Sequence, residues 1–227
     1  MHSAETTTQP TVLRMFDDFM VVNKPAGWHT VRHEGSEGNT LEAWLCEHEP
    51  RAAALEEAGL CHRLDQWTSG CVAVALTLDA HTRLRQAFSQ TGSGVRKVYL
   101  ALVVAGLDHH GRFRLNFDNR YKRSAKVSVR ESGDAWTAGR CAWRVLRRGP
   151  NDHDLVQVEL IGPGRRHQIR AGLAFFGHPL LGDTLYGGAA SQQPGVALHA
   201  WQLTIEEALA QAPAPPRFGE IPATESD

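Results

Sequence analysis

Apolar residues along this chain fall in short runs broken by turn residues. FMVVNK over 19–24 and CVAVALT over 71–77 are rich in β-branched and apolar side chains, which predicts two strands, the first closed by a KPAG turn where Pro fixes φ and Gly permits a tight bend. Between them, NTLEAWLCEHE shows helical spacing through Leu41, Trp44 and Leu45, with Thr40 as the N-cap. DAHTRLRQAFSQ predicts a second helix capped by Asp79, with Leu84, Ala87 and Phe88 on one face. KVYLALVVAG, AKVSVRE, RCAWRVLRR and DLVQVELIG then give four further strands, and RRHQIRAGLAFFG a helix. Many strands with few intervening helices predict an α+β fold with a mainly antiparallel sheet.

The 227 residues suffice for a substantial core, and without repeats or long linkers any subdivision is expected within one continuous core. Residues 11–210 are the expected catalytic domain; the polar stretch 1–10 and the Pro-rich 211–227 are expected to be flexible tails. No apolar run approaches the roughly 20 residues needed to cross a bilayer, and the start lacks the order of a signal peptide, which places the protein in the cytoplasm. Cys46, Cys61, Cys71 and Cys141 show no C-x-x-C pairing and read as buried small residues; no metal site is expected.

The net charge of −1 conceals an asymmetry: residues 112–170 hold 14 of the 24 Lys and Arg but 6 of the 25 Asp and Glu, a net of +8. Arg exceeds Lys there, which favours planar bidentate contacts, and a phosphate-binding surface is the functional reading. Arg120, Lys122, Arg123 and Lys126, with Tyr121, are its candidate contacts.

Candidate chemistry concentrates in HRLDQWTSG, residues 62–70, where Asp65 precedes the small polar Thr68, Ser69 and Gly70. Taken alone, such an Asp equally fits an Asx-type turn bonding nearby amides. A second stretch, GPGRRHQIRAGLAFFGHPLLGDTLYGG over 162–188, leads through three Arg into a helix; Arg165 and Arg166 at a helix start oppose the dipole and make sense if they meet anions. Asp183 reads as a turn-forming Asp. In a third stretch, Tyr99 lies on a strand beside Val98 and Leu100.

HRLDQWTSG resembles the signature of the RluA-type pseudouridine synthases. DDFMVVNKPAGW, RKVYLALVVAG, the 162–188 stretch and ALHAWQL resemble the family's other motifs, all in family order from about residue 16 to 205. The resemblance implies the pseudouridine synthase fold, a mixed, largely antiparallel central sheet with flanking helices and an active-site cleft across its middle. It leaves no room for the amino-terminal RNA-binding module some members carry. The implied reaction breaks the N-glycosidic bond of a uridine in ribosomal or transfer RNA, turns the base and rejoins it through carbon, without metal or organic cofactor.

By the same resemblance Asp65 is the catalytic aspartate, acting as nucleophile or as base; with a reference pKa of about 3.9 it is expected to be ionised. Arg170 pairs with it, Tyr99 stacks on the target base and can move a proton, and Arg63 fills the space the flipped uridine vacates. His62 is expected to contact substrate or only to brace the loop, and Arg165, Arg166 and His167 to contact RNA. The chain departs from the family where many members have Val-His after HQIR and it has Ala171 and Gly172, and where Thr-Gly-Arg-Thr becomes Pro163-Gly164-Arg165-Arg166. RNA is the expected partner and the expected state is a monomer. The alternatives are a silent RNA-binding protein of the same fold, or a glycoside hydrolase, which would need a second carboxylate about 5 to 10 Å from the first.

Overall fold

The computed structural model describes residues 9–32, 38–118, 124–149 and 152–222. Ten strands occur among them: β1 (Thr11–Met15), β2 (Phe19–Lys24), β3 (Ser69–Ala75), β4 (Val95–Val104), β5 (His110–Asp118), β6 (Ser128–Arg130), β7 (Ala138–Arg147), β8 (His153–Ile161), β9 (Leu198–Ile205) and β10 (Ala208–Gln211). The α-helices are α1 (Leu41–His48), the single turn α2 (Pro50–Ala53), α3 (Leu78–Ser89) and α4 (Gln168–Phe175). The fold class is therefore α+β with mostly antiparallel pairing, as the sequence predicts. The chain divides into two compact units, residues 1–96 with 200–213, and residues 97–199 with 214–227.

In the first unit β1, β2 and β3 pair antiparallel in that order, and β10 pairs antiparallel with β9. The period of two along a strand decides its core. Phe19 and Val21 of β2, Cys71, Ala73 and Ala75 of β3, and Leu203 and Ile205 of β9 point one way, and the Ala80, Leu84 and Phe88 stripe of α3 packs on them. Asp79 does not cap this helix; Thr77 does, its side chain accepting from the Ala80 amide, because the helix begins two residues earlier than the sequence suggests. Thr40 caps α1 as expected, accepting from Ala43 N.

The second unit runs β4, β8, β7, β5, β6, each neighbour antiparallel. α4 lies on one face of it, and Gly172 explains one departure from the family pattern: a Cβ there would stand 2.4 Å from the Phe113 ring of β5, so the large aromatic occupies the side-chain volume Gly172 gives up.

Several expectations change. The AKVSVRE strand shrinks to Ser128–Arg130, and β1, β5 and β10 are present where no strand was predicted. The Pro-rich tail is packed in part and holds a 3₁₀ turn over Pro216–Phe218: Phe218 is buried, and Arg147 donates to the Phe218 and Glu220 carbonyls, so one aromatic anchors the segment. Cys46 is exposed; Cys61, Cys71 and Cys141 are buried, and burial pushes each of these three thiols up to about 12, which leaves them inert.

Candidate active site

Lys24 ends β2 opposite Gly70 of β3, and this register sets the turn after β2 beside the loop before β3. Along β2 the period of two turns Lys24 away from the α3 core, onto the face of Met20 and Val22. There it is fully buried, and its ammonium donates to the carbonyls of Pro25 (3.0 Å), Trp28 (2.7 Å) and Gln66 (3.1 Å). The Gly27 amide also donates to Gln66 O, and the Trp67 ring stands 3.3 Å from where a Gly27 Cβ would be. Gly27 has φ +88, so the KPAG turn needs its glycine for both conformation and space.

These contacts hold the backbone either side of Asp65. Thr30 Oγ1 accepts from Leu64 N and donates to Leu64 O, while Asp65 O accepts from Thr68 N to close a turn. Asp65 thus stands in a turn closed by its own backbone carbonyl, and the half-buried carboxylate projects from a loop fixed at Leu64 and Gln66. Arg63, on the same loop, is exposed. His62 does brace the loop: its Nε2 accepts from Ala73 N at 3.0 Å and its ring stacks on Phe88 at 4.2 Å.

Burial pushes the Lys24 ammonium down to about 7, and the nearby Asp65 charge pulls against that shift. Unfolded, Lys24 titrates near its ordinary 10.5. Between these values the unfolded chain binds the extra proton, so the stability carried by this group is lowest below pH 7 and rises with pH up to about 10.5. Urea unfolding of the wild type and Lys24→Met, at about pH 6.5 and 9.5, should therefore show the wild type gaining on the variant at the higher pH. A constant difference would mean that the three carbonyls keep the ammonium charged throughout.

Gly70 has φ +111, and a Cβ there would meet Ala200 O of β9 at 2.1 Å. Close backbone approach and left-handed conformation both demand glycine where the loop enters β3. Gly70→Ala is expected to destabilise by more than about 2 kcal/mol, read as a lowered urea midpoint. An unchanged midpoint would refute the close approach.

In the second unit, Arg170 projects from α4 as a buried guanidinium, donating through Nε (2.7 Å) and Nη2 (2.9 Å) to the two carboxylate oxygens of Asp183. Asp183 is 1% exposed and its backbone also forms the expected turn, its carbonyl accepting from Tyr186 and Gly188 amides. The Tyr186 ring lies 5.4 Å from the Arg170 Cζ, and its hydroxyl accepts from Val127 N and meets His167 Nδ1 at 2.9 Å. Burial raises the Tyr186 pKa. Tyr99, buried, stands on β4 opposite Val158 of β8, on the face that α4 covers.

Arg165 and Arg166 do not begin the helix, which starts at Gln168 after His167 in the left-handed region at φ +53. Arg165 Nε donates to Ala138 O, and Arg166 donates to Ser124 O and Ala125 O. Arg166 thereby secures the segment beside an exposed Lys126, and Arg165 ties the start of β7. Arg120, Tyr121, Lys122 and Arg123 lie outside the described residues.

Sequence reading passes over Lys24 and Tyr186 and takes Asp183 only as the turn residue it also is. A lysine ending an otherwise apolar strand is the available signal for the first, and the 162–188 stretch holds the other two without marking what they pair with.

The family model for RNA pseudouridylate synthase matches residues 18–175. The "Ribosomal large subunit pseudouridine synthase D" of Xanthomonas campestris pv. campestris is 36% identical over 195 residues, 86% of this chain and 56% of that protein. Its Pseudomonas aeruginosa namesake is 33% identical over 197 residues, covering 86% and 59%. The chain thus spans little more than half the length of these relatives. Among solved structures, human RNA pseudouridylate synthase domain containing 1 superposes with a TM-score of 0.70 at 24% identity, over 96% of this chain and 89% of that one. Domain containing 4 gives 0.67 at 22%, over 91% and 89%, and both likenesses extend to the fold. Among the described residues no helix is long and apolar enough to cross a membrane.

Proposed function

We propose, from the premise that this chain belongs to the RNA pseudouridylate synthase family, that it isomerises a uridine of RNA to pseudouridine. The names of the relatives make large-subunit ribosomal RNA the proposed substrate. Residues 11–210 are the proposed catalytic domain, acting in the cytoplasm as a monomer.

The observation that carries the reading is the Asp65 loop, whose backbone is fixed at Leu64, Asp65 and Gln66 while its carboxylate stays half-buried. A carboxylate held this way acts on the sugar of a flipped uridine, by attack or by proton removal, with little reorganisation. The glycosidic C–N bond breaks, the base turns, and a C–C bond forms to the same sugar. The ring carbon then gives up its hydrogen and the freed nitrogen takes one, so the sum is an isomerisation. Tyr99 stacks on the base and is the candidate for that late proton transfer. Arg170 orients the reacting groups, itself set by Asp183, and Arg63 enters the space left by the flipped base. Arg165, Arg166, His167, Lys126, Arg120, Lys122 and Arg123 are proposed to follow the RNA backbone, and His62 supports the loop.

Site-resolved pseudouridine mapping of total RNA tests this in a deletion strain, bare or restored with wild type or Asp65→Asn. A uridine of large-subunit RNA that loses its modification on deletion and regains it only with wild type is expected. A transfer-RNA site would overturn the substrate, and no changed site in any RNA would overturn the activity.

A further inference from the structure

We propose that the second unit carries another RNA-binding surface, on the sheet face opposite Tyr99 and α4, where a single strand lays its phosphates along an arginine row and stacks a base on Trp136. This rests on RNA being the substrate, as proposed above.

The register defines that face. Across the β5–β7 pair, His110 stands opposite Arg144, Arg112 opposite Ala142 and Arg114 opposite Arg140. Paired residues of an antiparallel ladder point to one side, so these side chains share a face. The alternate residues Phe113, Leu115, Cys141 and Val145 are buried on the other side, where Gly172 of α4 meets Phe113. Tyr99 stands opposite Val158, and Val158 opposite Trp143 and hence in the Cys141 and Val145 set, so the reacting tyrosine belongs to the covered face and the arginines to the open one.

Arg112, Arg114 and Arg140 are exposed and Arg144 half-exposed. Arginines set directly opposite one another, as Arg114 and Arg140 are, repel. The acids on this face are Asp118, which is bridged to Arg130, and Glu159, opposite Ala142 on β8; Glu131 and Asp134 lie in the turn after β6. Arg112, Arg114 and Arg144 have no acidic partner among the described residues. The spacing suits a polyanion: residues two apart on a strand lie about 6.6 Å from one another and neighbouring strands about 4.8 Å apart, comparable to the intervals between phosphates of an extended strand.

Trp136 supplies the second half. It is 71% exposed, which a large aromatic in a folded monomer has little reason to be. Its turn, Ala135–Thr137, is fastened to this same face: the buried Asn116, two residues beyond Arg114, donates to Asp134 O (2.7 Å) and Thr137 Oγ1 (2.8 Å). Gly133 lies so close to Asn116 that a Cβ would stand 2.9 Å from its amide nitrogen. An indole held at the end of a row of guanidinium groups is the combination that binds single-stranded nucleic acid, by stacking and by backbone charge.

The test is the salt dependence of binding of a fluorescent single-stranded RNA of about 20 nucleotides, for wild type, Arg112→Ala/Arg114→Ala, Trp136→Ala and Trp136→Phe, with thermal melts to confirm folding. Two lost phosphate contacts should lower the magnitude of the slope of log affinity against log salt by about 1.4. Trp136→Ala should weaken binding roughly tenfold and Trp136→Phe restore most of it. An unchanged slope in the double arginine variant, or unchanged affinity in Trp136→Ala, overturns the surface. Binding needs no turnover, so the two readings fail separately: wild type that forms pseudouridine while the variants bind as it does loses only this surface. Wild type that forms none loses the activity, whatever the slopes.

Discussion

Asp65→Asn is expected to lower single-turnover conversion of uridine to pseudouridine by at least about 10³-fold while RNA affinity stays within about threefold. The amide has the carboxylate's shape but neither attacks a sugar carbon nor takes its proton at useful rates. Folding should be spared, because the backbone contacts that fix the loop stay in place in the isosteric amide. Thr30 holds Leu64, the Asp65 carbonyl closes the turn to Thr68, and Lys24 and Gly27 hold the Gln66 carbonyl. A melting temperature close to wild type would therefore accompany the lost activity. Turnover within tenfold of wild type would remove Asp65 from the chemistry.

Asp183→Asn should be the most damaging conservative change outside that loop. Arg170 and Asp183 form a two-point ion pair whose side chains are 10% and 1% exposed. Neutralising the acid leaves a buried guanidinium with an amide in place of its counter-charge, and breaking such a pair costs about 3 kcal/mol or more. For a chain of this size the melting temperature should fall by about 6–12 °C. Arg170→Met/Asp183→Leu, which removes both charges, should recover much of that loss, since paired apolar groups tolerate the site better than a buried guanidinium without this carboxylate. If Asp183→Asn melts within about 2 °C of wild type, the pair holds nothing together. The kinetic counterpart separates roles: Asp183→Asn should reduce turnover below the melting temperature, and Asp183→Glu should regain part of it. A positioning residue behaves so, and a merely structural one would leave turnover of the folded fraction unchanged.

Local pattern made much of this legible. Apolar runs bounded by turns located β2, β3, β4, β7 and β8, because strand periodicity and turn chemistry act within a few residues. β5 carries the same kind of signal, since Phe113, Leu115 and Phe117 alternate with the polar Arg112, Arg114 and Asn116, and the sequence reading passes it over. β1 and β10 are short and carry little apolar signal of their own; they exist because β2 and β9 offer them partners.

The sequence by itself determined that the fold is α+β, that an Asp stands in the loop entering β3, that Tyr99 lies on a strand, and that positive charge gathers between residues 112 and 170. Only the tertiary structure decided what those groups face. Lys24 meets Gln66, 42 residues on, because β2 and β3 pair Lys24 with Gly70 and not a neighbour. Arg170 finds Asp183, 13 residues on, and Arg165 and Arg166, which stand before the helix, reach the carbonyls of Ala138 and Ser124 from distant segments. A shift of one residue in the β5–β7 register would have buried Arg112 and Arg114 and exposed Phe113. Such choices rest on the packing of both faces at once, which no window of the sequence contains.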